Sequence, residues 1–368
     1  MTEQRKSRTL IFPAGMPRAL SYLAQARAEN QDVIGASSLG YDPAQKQYPA
    51  WIHLPYITAE NFDSALRQAL IEHGITAIYT PNPVVWNYLQ QKLAQLAPTV
   101  QLVNGSPVDS ELAPYRSALT LAQQLGDDTL ALASCDTPKP AGSILELAAL
   151  FRHAETIPGM CDHDKIRALC AIARQTPDGD IIEIGSWWGK SAFVLLQLAT
   201  IYRIGKLLCI DPWSNEHLVQ HDEKGLVDSI AISADEAFTV FRLNLLPYGK
   251  GAVNYLRMPS VQAAAIYREQ RELSSAEFGS SRYEGKISLL HIDGNHSLSS
   301  VQADLSAWVG HVCVGGWIII DDYVWPYGDG PKRAADHLLL QNRQCIELAF
   351  VMGSALFIRL NQRIESNS

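Results

Sequence analysis

The chain has 368 residues, 47% of them hydrophobic, and a formal net charge of −8. That length exceeds one comfortable core and predicts two domains. The acidic balance argues against a dedicated nucleic-acid binder, whose phosphate contacts need a basic surface, and no apolar stretch is long enough to span a bilayer.

The first third alternates strand and helix periods. Strands are expected at residues 9–14, 32–37, 51–55, 76–80 and 100–103. Helices are expected at 16–29, opened by a proline, at 61–73, capped by Asn61 and closed by Gly74, and at 84–96. Such alternation means βαβ units and a mostly parallel sheet. Around Cys135-Asp136-Thr137-Pro138-Lys139-Pro140-Ala141-Gly142 two prolines and a glycine interrupt a helical pattern, which divides the chain into domains 1–135 and 143–368.

The second domain opens with helices at 143–153 and 163–174. Strand 180–184, helix 190–200 and strand 206–210 follow, the last ending on Asp211. Helix 235–246, strand 252–257, helix 261–271, strand 287–292, helix 299–309 and strand 316–320 continue the rhythm. The tail, 345–351 and 355–360 around Gly353-Ser354, reads as a hairpin. Segment 213–233, with His217, His221, Asp222 and Glu223, is long for its place and reads as a lid whose histidines are surface residues. The six cysteines (Cys135, Cys161, Cys170, Cys209, Cys313, Cys345) form no CxxC pair and read as reduced thiols. With a polar N-terminus, they predict a cytoplasmic protein.

In a parallel α/β sheet, ligands bind beyond the carboxyl ends of the strands. Three ends here carry chemistry. The first, Glu183-Ile184-Gly185-Ser186-Trp187-Trp188-Gly189-Lys190-Ser191, is a glycine turn. A phosphate loop needs four residues between its glycine and the Gly-Lys-Ser, and here there are three. A dinucleotide turn needs a second glycine where Trp187 stands.

The other two ends are Ile292-Asp293-Gly294-Asn295-His296 and Ile320-Asp321-Asp322-Tyr323. Hard carboxylate oxygens suit Mg²⁺, and a histidine, which ordinarily titrates near about 6.5, suits a general base. Asp321 and Asp322 diverge if their strand continues, so one is expected as a direct ligand and the other as its support. Asp304 is expected on an exposed helix face, and His291, expected by alternation to face away from Asp293's immediate neighbours, is left out of the site. Trp187, Trp188, Trp213 and Trp325 lie near strand ends, where ligand stacking and core packing are equally open.

The Glu-Ile-Gly-Ser-x-x-Gly-x-Ser turn resembles motif I of S-adenosylmethionine-dependent methyltransferases. A parallel series closed by a hairpin is similar to their class I order, with an antiparallel last strand. From Ser143 to Leu360 the order and spacing of Ile157-Pro158-Gly159-Met160, the Asp293–His296 segment, Gly315-Gly316-Trp317, Asp321-Asp322-Tyr323 and Gly330-Pro331-Lys332-Arg333-Ala334 resemble one subfamily, that of the macrocin and mycinamicin sugar O-methyltransferases. The resemblance implies a Rossmann-like class I methyltransferase sheet. It assigns Glu183, Gly185, Ser186, Gly189, Ser191, Asp211, Ser260 and Asp293 to S-adenosylmethionine, with Asp211 on the ribose hydroxyls. It assigns Asp293, Asp321 and Asp322 to Mg²⁺, and His296 to the role of base. Leu298 departs from the subfamily's usual aromatic residue and Asn295 from its frequent acid, which bears on the acceptor pocket.

Leu10-Ile11-Phe12-Pro13-Ala14-Gly15-Met16-Pro17-Arg18 opens a smaller Rossmann-like α/β domain that resembles the pre-ATP-grasp domain of ATP-grasp ligases. No ATP-grasp catalytic portion follows, so the expected role is an interface or substrate presentation. The function expected of the chain is Mg²⁺-assisted O-methyl transfer to a sugar, glycoconjugate or hydroxylated natural product. The partners expected are a small-molecule or glycan acceptor and a second copy in a homo-oligomer, with no nucleic acid and no membrane. Two rivals stay open: a same-fold metal-dependent hydroxylase-type enzyme, and a non-catalytic binding or scaffold protein with a degenerate methyltransferase domain.

Overall fold

Alternating apolar strands and amphipathic helices form two units, Met1–Arg116 and Ser117–Ser368, in a computed structural model that describes residues 7–127, 138–217 and 233–365. The first unit contains β1 (Arg8–Ile11), α1 (Pro17–Ala28), β2 (Asp32–Ser37), β3 (Trp51–His53), α2 (Phe62–Glu72), β4 (Ala77–Tyr79), α3 (Pro83–Leu96) and β5 (Gln101–Leu102). Its five strands pair in parallel, in the order β3-β2-β1-β4-β5. Successive side chains of a strand face opposite ways. Leu10 accordingly packs with Phe62, Leu66 and Leu89 on one side of the sheet, and Ile11 with Ala19 and Leu23 on the other.

The helix ends follow local chemistry with one exception. Pro17 and Pro83 stand at first-turn positions, where a missing N–H costs nothing. Asn82 caps α3 by accepting from the N–H groups of Val84 (2.9 Å) and Val85 (3.1 Å). Asn61 sits at the expected position before α2, but its side chain makes no capping bond. Its backbone, with ψ of 4°, lies outside the extended region that aims a cap at the helix. Gly74, with φ of +60°, ends that helix as expected.

The division between the units falls inside α4 (Pro107–Asp127), earlier than the stretch suggested by prolines and glycine. Ala118 and Ala122, late in α4, are buried in the core of the second unit. Of the expected breakpoint, Cys135, Asp136 and Thr137 lie outside the described residues.

The second unit continues with α5 (Ile144–Ala154), α6 (His163–Ala173), β6 (Asp180–Ile184), α7 (Lys190–Tyr202), β7 (Leu207–Ile210), α8 (Ala234–Leu245), β8 (Val253–Leu256) and α9 (Ser260–Glu269). A short antiparallel pair, β9 (Glu272–Ser275) and β10 (Gly279–Arg282), was not anticipated from the sequence. Then come β11 (Ile287–Ile292), α10 (Leu298–Trp308), β12 (Val312–Ile320), α11 (Gly330–Gln341), β13 (Ile346–Met352) and β14 (Ala355–Leu360). The seven-stranded order is β13-β14-β12-β11-β6-β7-β8, and β14 runs antiparallel to both its neighbours. Two apolar layers cover the sheet, so all six residues of the central strand β11 are buried. The hairpin expected at the tail is present, and so is the antiparallel last strand. Of the expected lid, residues 218–232, with His221, Asp222 and Glu223, lie outside the described residues. Among the described residues no helix is long and apolar enough to cross a membrane.

Candidate active site

The glycine turn after β6 is shaped by two left-handed residues, Gly185 (φ +84°) and Gly189 (φ +87°), the second standing at the start of α7. A Cβ at Gly185 would overlap the carbonyl of Asp293. The turn and the end of β11 therefore touch, backbone to backbone. Asp211, at the end of β7, ties the turn down: its Oδ2 accepts from the Trp187 N–H (3.0 Å) and its Oδ1 from the Trp213 N–H (2.7 Å). Burial pushes the Asp211 carboxyl up to about 6, against the backbone bonds that favour its charge.

Ser186 and Ser191 are both buried in this region. Ser186 Oγ donates to Glu183 Oε2 (2.6 Å), and His291 Nδ1 lies 3.2 Å from Glu183 Oε1. Glu183 has no exposed surface. Its carboxylate holds Ser186 and His291, beneath the turn.

The acids beyond β11 and β12 meet an unforeseen partner, Lys165. This residue lies in the first turn of α6, where its N–H donates to Asp162 Oδ1 (2.7 Å) at the helix cap. A cation is disfavoured beside the positive end of a helix, and this side chain is only 1% exposed. Its ammonium is held there by ion pairs to Asp321 and, at 3.5 Å, to Asp293 Oδ2. Burial opposes the Lys165 charge, but Asp321 and Asp293 outweigh it and hold the ammonium well above its usual pKa. Burial would likewise raise Asp321, yet Lys165 and then His291 overcome it and keep that carboxyl below its usual range. Burial, reinforced by the Asp321 charge, pushes Asp293 well above its usual value.

The adjacent pair does diverge. Asp321 points to Lys165 and accepts from Ser354 Oγ (3.1 Å), whereas Asp322 Oδ2 lies 2.8 Å from His296 Nε2. Asp322 takes a left-handed backbone (φ +52°), unusual for a residue other than glycine. Trp325 packs edge-on against the His296 ring, with centroids 4.4 Å apart.

One residue left out of the expected site stands beside it, and one expectation is corrected. His291 is two residues from Asp293, hence on the same side of the strand, and its Nε2 lies 4.0 Å from Asp293 Oδ2. Asp304 is buried, not exposed, because it shares the apolar stripe of α10 with Val301, Leu305 and Trp308. Ser260 donates its hydroxyl to Asp304, and burial lifts that carboxyl to about 6. Among the tryptophans, Trp213 is a core residue between Phe238 and Phe241, while Trp187 and Trp188 are half-buried on the turn itself.

The donor set fits a divalent cation. Ligand atoms of Asp293, His296 and Asp322 lie within 4.8 Å of one another, as do those of His291, Asp293 and Asp321. The cluster sets three carboxyl groups against one ammonium. His291 Nε2, fully buried and aimed at Asp293, has no hydrogen-bond partner among the described residues. Carboxylate oxygens and a local excess of negative charge are what Mg²⁺ requires.

A family profile described as a methyltransferase domain matches residues 182–323. No curated protein matches the chain. Similar solved structures include the O-methyltransferase NovP, 18% identical over 69% of this chain and 100% of that one (TM-score 0.39). CalS11, a TDP-rhamnose 3'-O-methyltransferase of calicheamicin biosynthesis, is 15% identical over 70% of this chain and 96% of its own (TM-score 0.39). MycE, in complex with Mg, SAH and mycinamycin VI, is 16% identical over 73% and 65% (TM-score 0.37). The match to a methyltransferase domain covers residues 182–323, and the sheet that carries them has the strand order expected above, with the antiparallel strand near one edge.

Proposed function

We propose that the second unit transfers the methyl group of S-adenosylmethionine to a hydroxyl of a sugar, glycoconjugate or hydroxylated natural product, with Mg²⁺ assisting. The observation that carries this reading is the backbone contact between the Gly185 turn and the end of β11. It sets a cofactor-type turn beside an acid–histidine cluster. The family match over residues 182–323 supports the transferred group, and the motif spacing supports the acceptor class. The acceptor is a small molecule or glycan, and the first unit serves to present it or to join copies of the chain.

In this reading Asp211 accepts the two ribose hydroxyls. Each of its oxygens already takes one N–H and has a second lone pair to offer. Gly185, Ser186, Gly189 and Ser191 shape the bed for the methionine part, and Glu183 braces it through Ser186. Ser260, tied to Asp304 at the start of α9, is assigned to the cofactor with them. Asp293 and the Asp321–Asp322 pair are the acids that would hold Mg²⁺. Bound together, the cofactor supplies an electrophilic methyl group and the ion lowers the pKa of the acceptor hydroxyl. His296 takes the hydroxyl proton, and Asp322, 2.8 Å from its Nε2, stabilises the charged ring. Trp325 screens that ring from water on one side.

Titration with S-adenosylmethionine, with and without Mg²⁺, tests the core of the reading. Saturable binding is expected, and no binding under either condition sinks it. His296→Ala should lower kcat by about 10²–10⁴ and leave cofactor affinity unchanged. Loss of cofactor binding in that variant would show that the role assigned to His296 is wrong.

A further inference from the structure

We propose that β13, an edge strand of the seven-stranded sheet, pairs antiparallel with β13 of a second copy of this chain, joining two sheets into one. The contact lies wholly on the second unit and needs nothing from the methyltransferase reading.

The four edge strands of the two main sheets are finished in different ways. An edge presents unpaired N–H and C=O groups to any passing strand, and chains guard it by shortening, covering or charging it. In the first unit β3 has three residues and β5 has two. In the second unit β8 is dressed by the β9–β10 pair. Ser281 Oγ donates to the Val253 carbonyl (3.2 Å), and Asn254 Nδ2 donates to the carbonyls of Leu273 (3.1 Å) and Gly279 (2.9 Å). Among the described residues β13 has none of these guards. It runs for seven residues, Ile346-Glu347-Leu348-Ala349-Phe350-Val351-Met352, without proline or lysine. Its one charge, Glu347, is paired with Arg359 (3.1 Å).

The register of the hairpin says which groups face outward. Met352 pairs with Ala355 across the two-residue turn Gly353-Ser354, and such a closing pair is hydrogen-bonded. Hydrogen-bonded pairs alternate along the ladder. Phe350 therefore also bonds to β14, while Ala349 and Val351 turn their main-chain groups to the open edge. Their side chains are exposed too, that of Val351 by 46%. Beside them α11 and β13 line an open groove with Leu339, Leu340, Ile346 and Leu348, and Leu340 is 78% exposed.

A second copy answers this edge in particular. About a two-fold axis at Phe350, Ala349 of each copy stands opposite Val351 of the other. The two outward residues of each copy then satisfy those of its mate, with small side chains abutting. The same axis sets Glu347 opposite Gly353, away from the other Glu347, so no like charges meet. It also keeps the exposed Leu340 of both copies on one face of the joined sheet.

The test is sedimentation equilibrium of the full chain between about 1 and 100 µM, a range suited to an interface of modest area, with hydrogen exchange read over residues 346–352. A concentration-dependent dimer is expected, and exchange at Ala349 and Val351 should slow as it forms. Val351→Lys brings a cation to each outer edge and should weaken the dimer at least about tenfold, with an unchanged circular dichroism spectrum. Leu243→Lys, at a 63% exposed site on α8, should leave the dimer intact. If Val351→Lys does not fold, the wild-type exchange pattern decides alone. A wild-type chain that stays monomeric throughout overturns the proposal and leaves the edge to a strand from another protein. A dimer whose residues 346–352 exchange equally fast at every concentration overturns it too, because the interface then lies elsewhere. Failure to bind S-adenosylmethionine would alter none of these outcomes.

Discussion

The two units wind their parallel strands alike and finish them differently. Counting only the strands of each main sheet, both place the third, second, first, fourth and fifth side by side, and the second adds the β13–β14 hairpin. In the first unit, the ends of β4 and β5 close on each other. Asn104 accepts from the Thr80 N–H (3.0 Å) and donates to the carbonyls of Thr80 (2.8 Å) and Gly105 (3.0 Å). In the second unit, the corresponding ends, those of β11 and β12, carry Asp293, Asp321 and Asp322. Winding alone builds a crevice in either place. Chemistry comes from polar groups whose charge the surrounding backbone does not settle.

Three perturbations sharpen that contrast. Gly185→Ala should have the largest effect. The left-handed backbone and the overlap with Asp293 O together predict a loss of roughly 1–3 kcal/mol. S-adenosylmethionine affinity should fall with it, and chemical unfolding plus a binding titration would read both. Stability within a few tenths of a kcal/mol of wild type would mean that the turn and β11 are not in firm contact.

Next comes a pH dependence. Aspartates of an unfolded chain titrate near about 3.9, and burial pushes Asp211 up to about 6. Its charge therefore costs native stability above pH 6, and that cost is relieved as the pH falls toward 4. Cofactor binding should move the opposite way, because the ribose hydroxyls need the ionised acceptor. Affinity should hold from pH 8 to 7 and then decline by about tenfold per pH unit below 6. Asp211→Asn should bind weakly with a flat profile, and a sloped profile in that variant would assign the titration elsewhere.

The smallest effect belongs to the first unit. Asn104→Ala should cost only about 0.5–1.5 kcal/mol by removing part-buried hydrogen bonds to the Thr80 N–H and carbonyl. Cofactor affinity should be untouched. A drop in affinity there would mean that the quiet sheet contributes to the site after all.

Much of this architecture is legible in the residue pattern, because strands bounded by glycine and helices with apolar stripes leave strong periods. The strand 32–37 and the strand 287–292 are read from end to end. The three chemical strand ends are legible too, since Asp293, Asp321, Asp322 and His296 all converge. Lys165 is hidden by its neighbours: Asp162-His163-Asp164-Lys165 looks like a solvated helix start. The available signal is its place on the stripe with Leu169 and Ile172, where a charge needs a partner. Asp304 carries the same signal, in line with Val301, Leu305 and Trp308. His291 required only the alternation rule, applied over two residues. The split between Asp321 and Asp322 depends on a left-handed turn at Asp322 and on Lys165 arriving from a distant helix. Neither leaves a local trace.

The bridge from Ser186 through Glu183 and His291 to Asp293 joins the cofactor turn to the acid cluster by fully or partly buried groups. Cofactor and ion would each bear on one end of this row of buried groups, whose last gap, from His291 to Asp293, is 4.0 Å. By reciprocity, whatever factor an ion at Asp293 contributes to cofactor affinity, the cofactor returns to the ion. Measuring cofactor affinity with and without the ion therefore measures the ion's dependence on the cofactor as well.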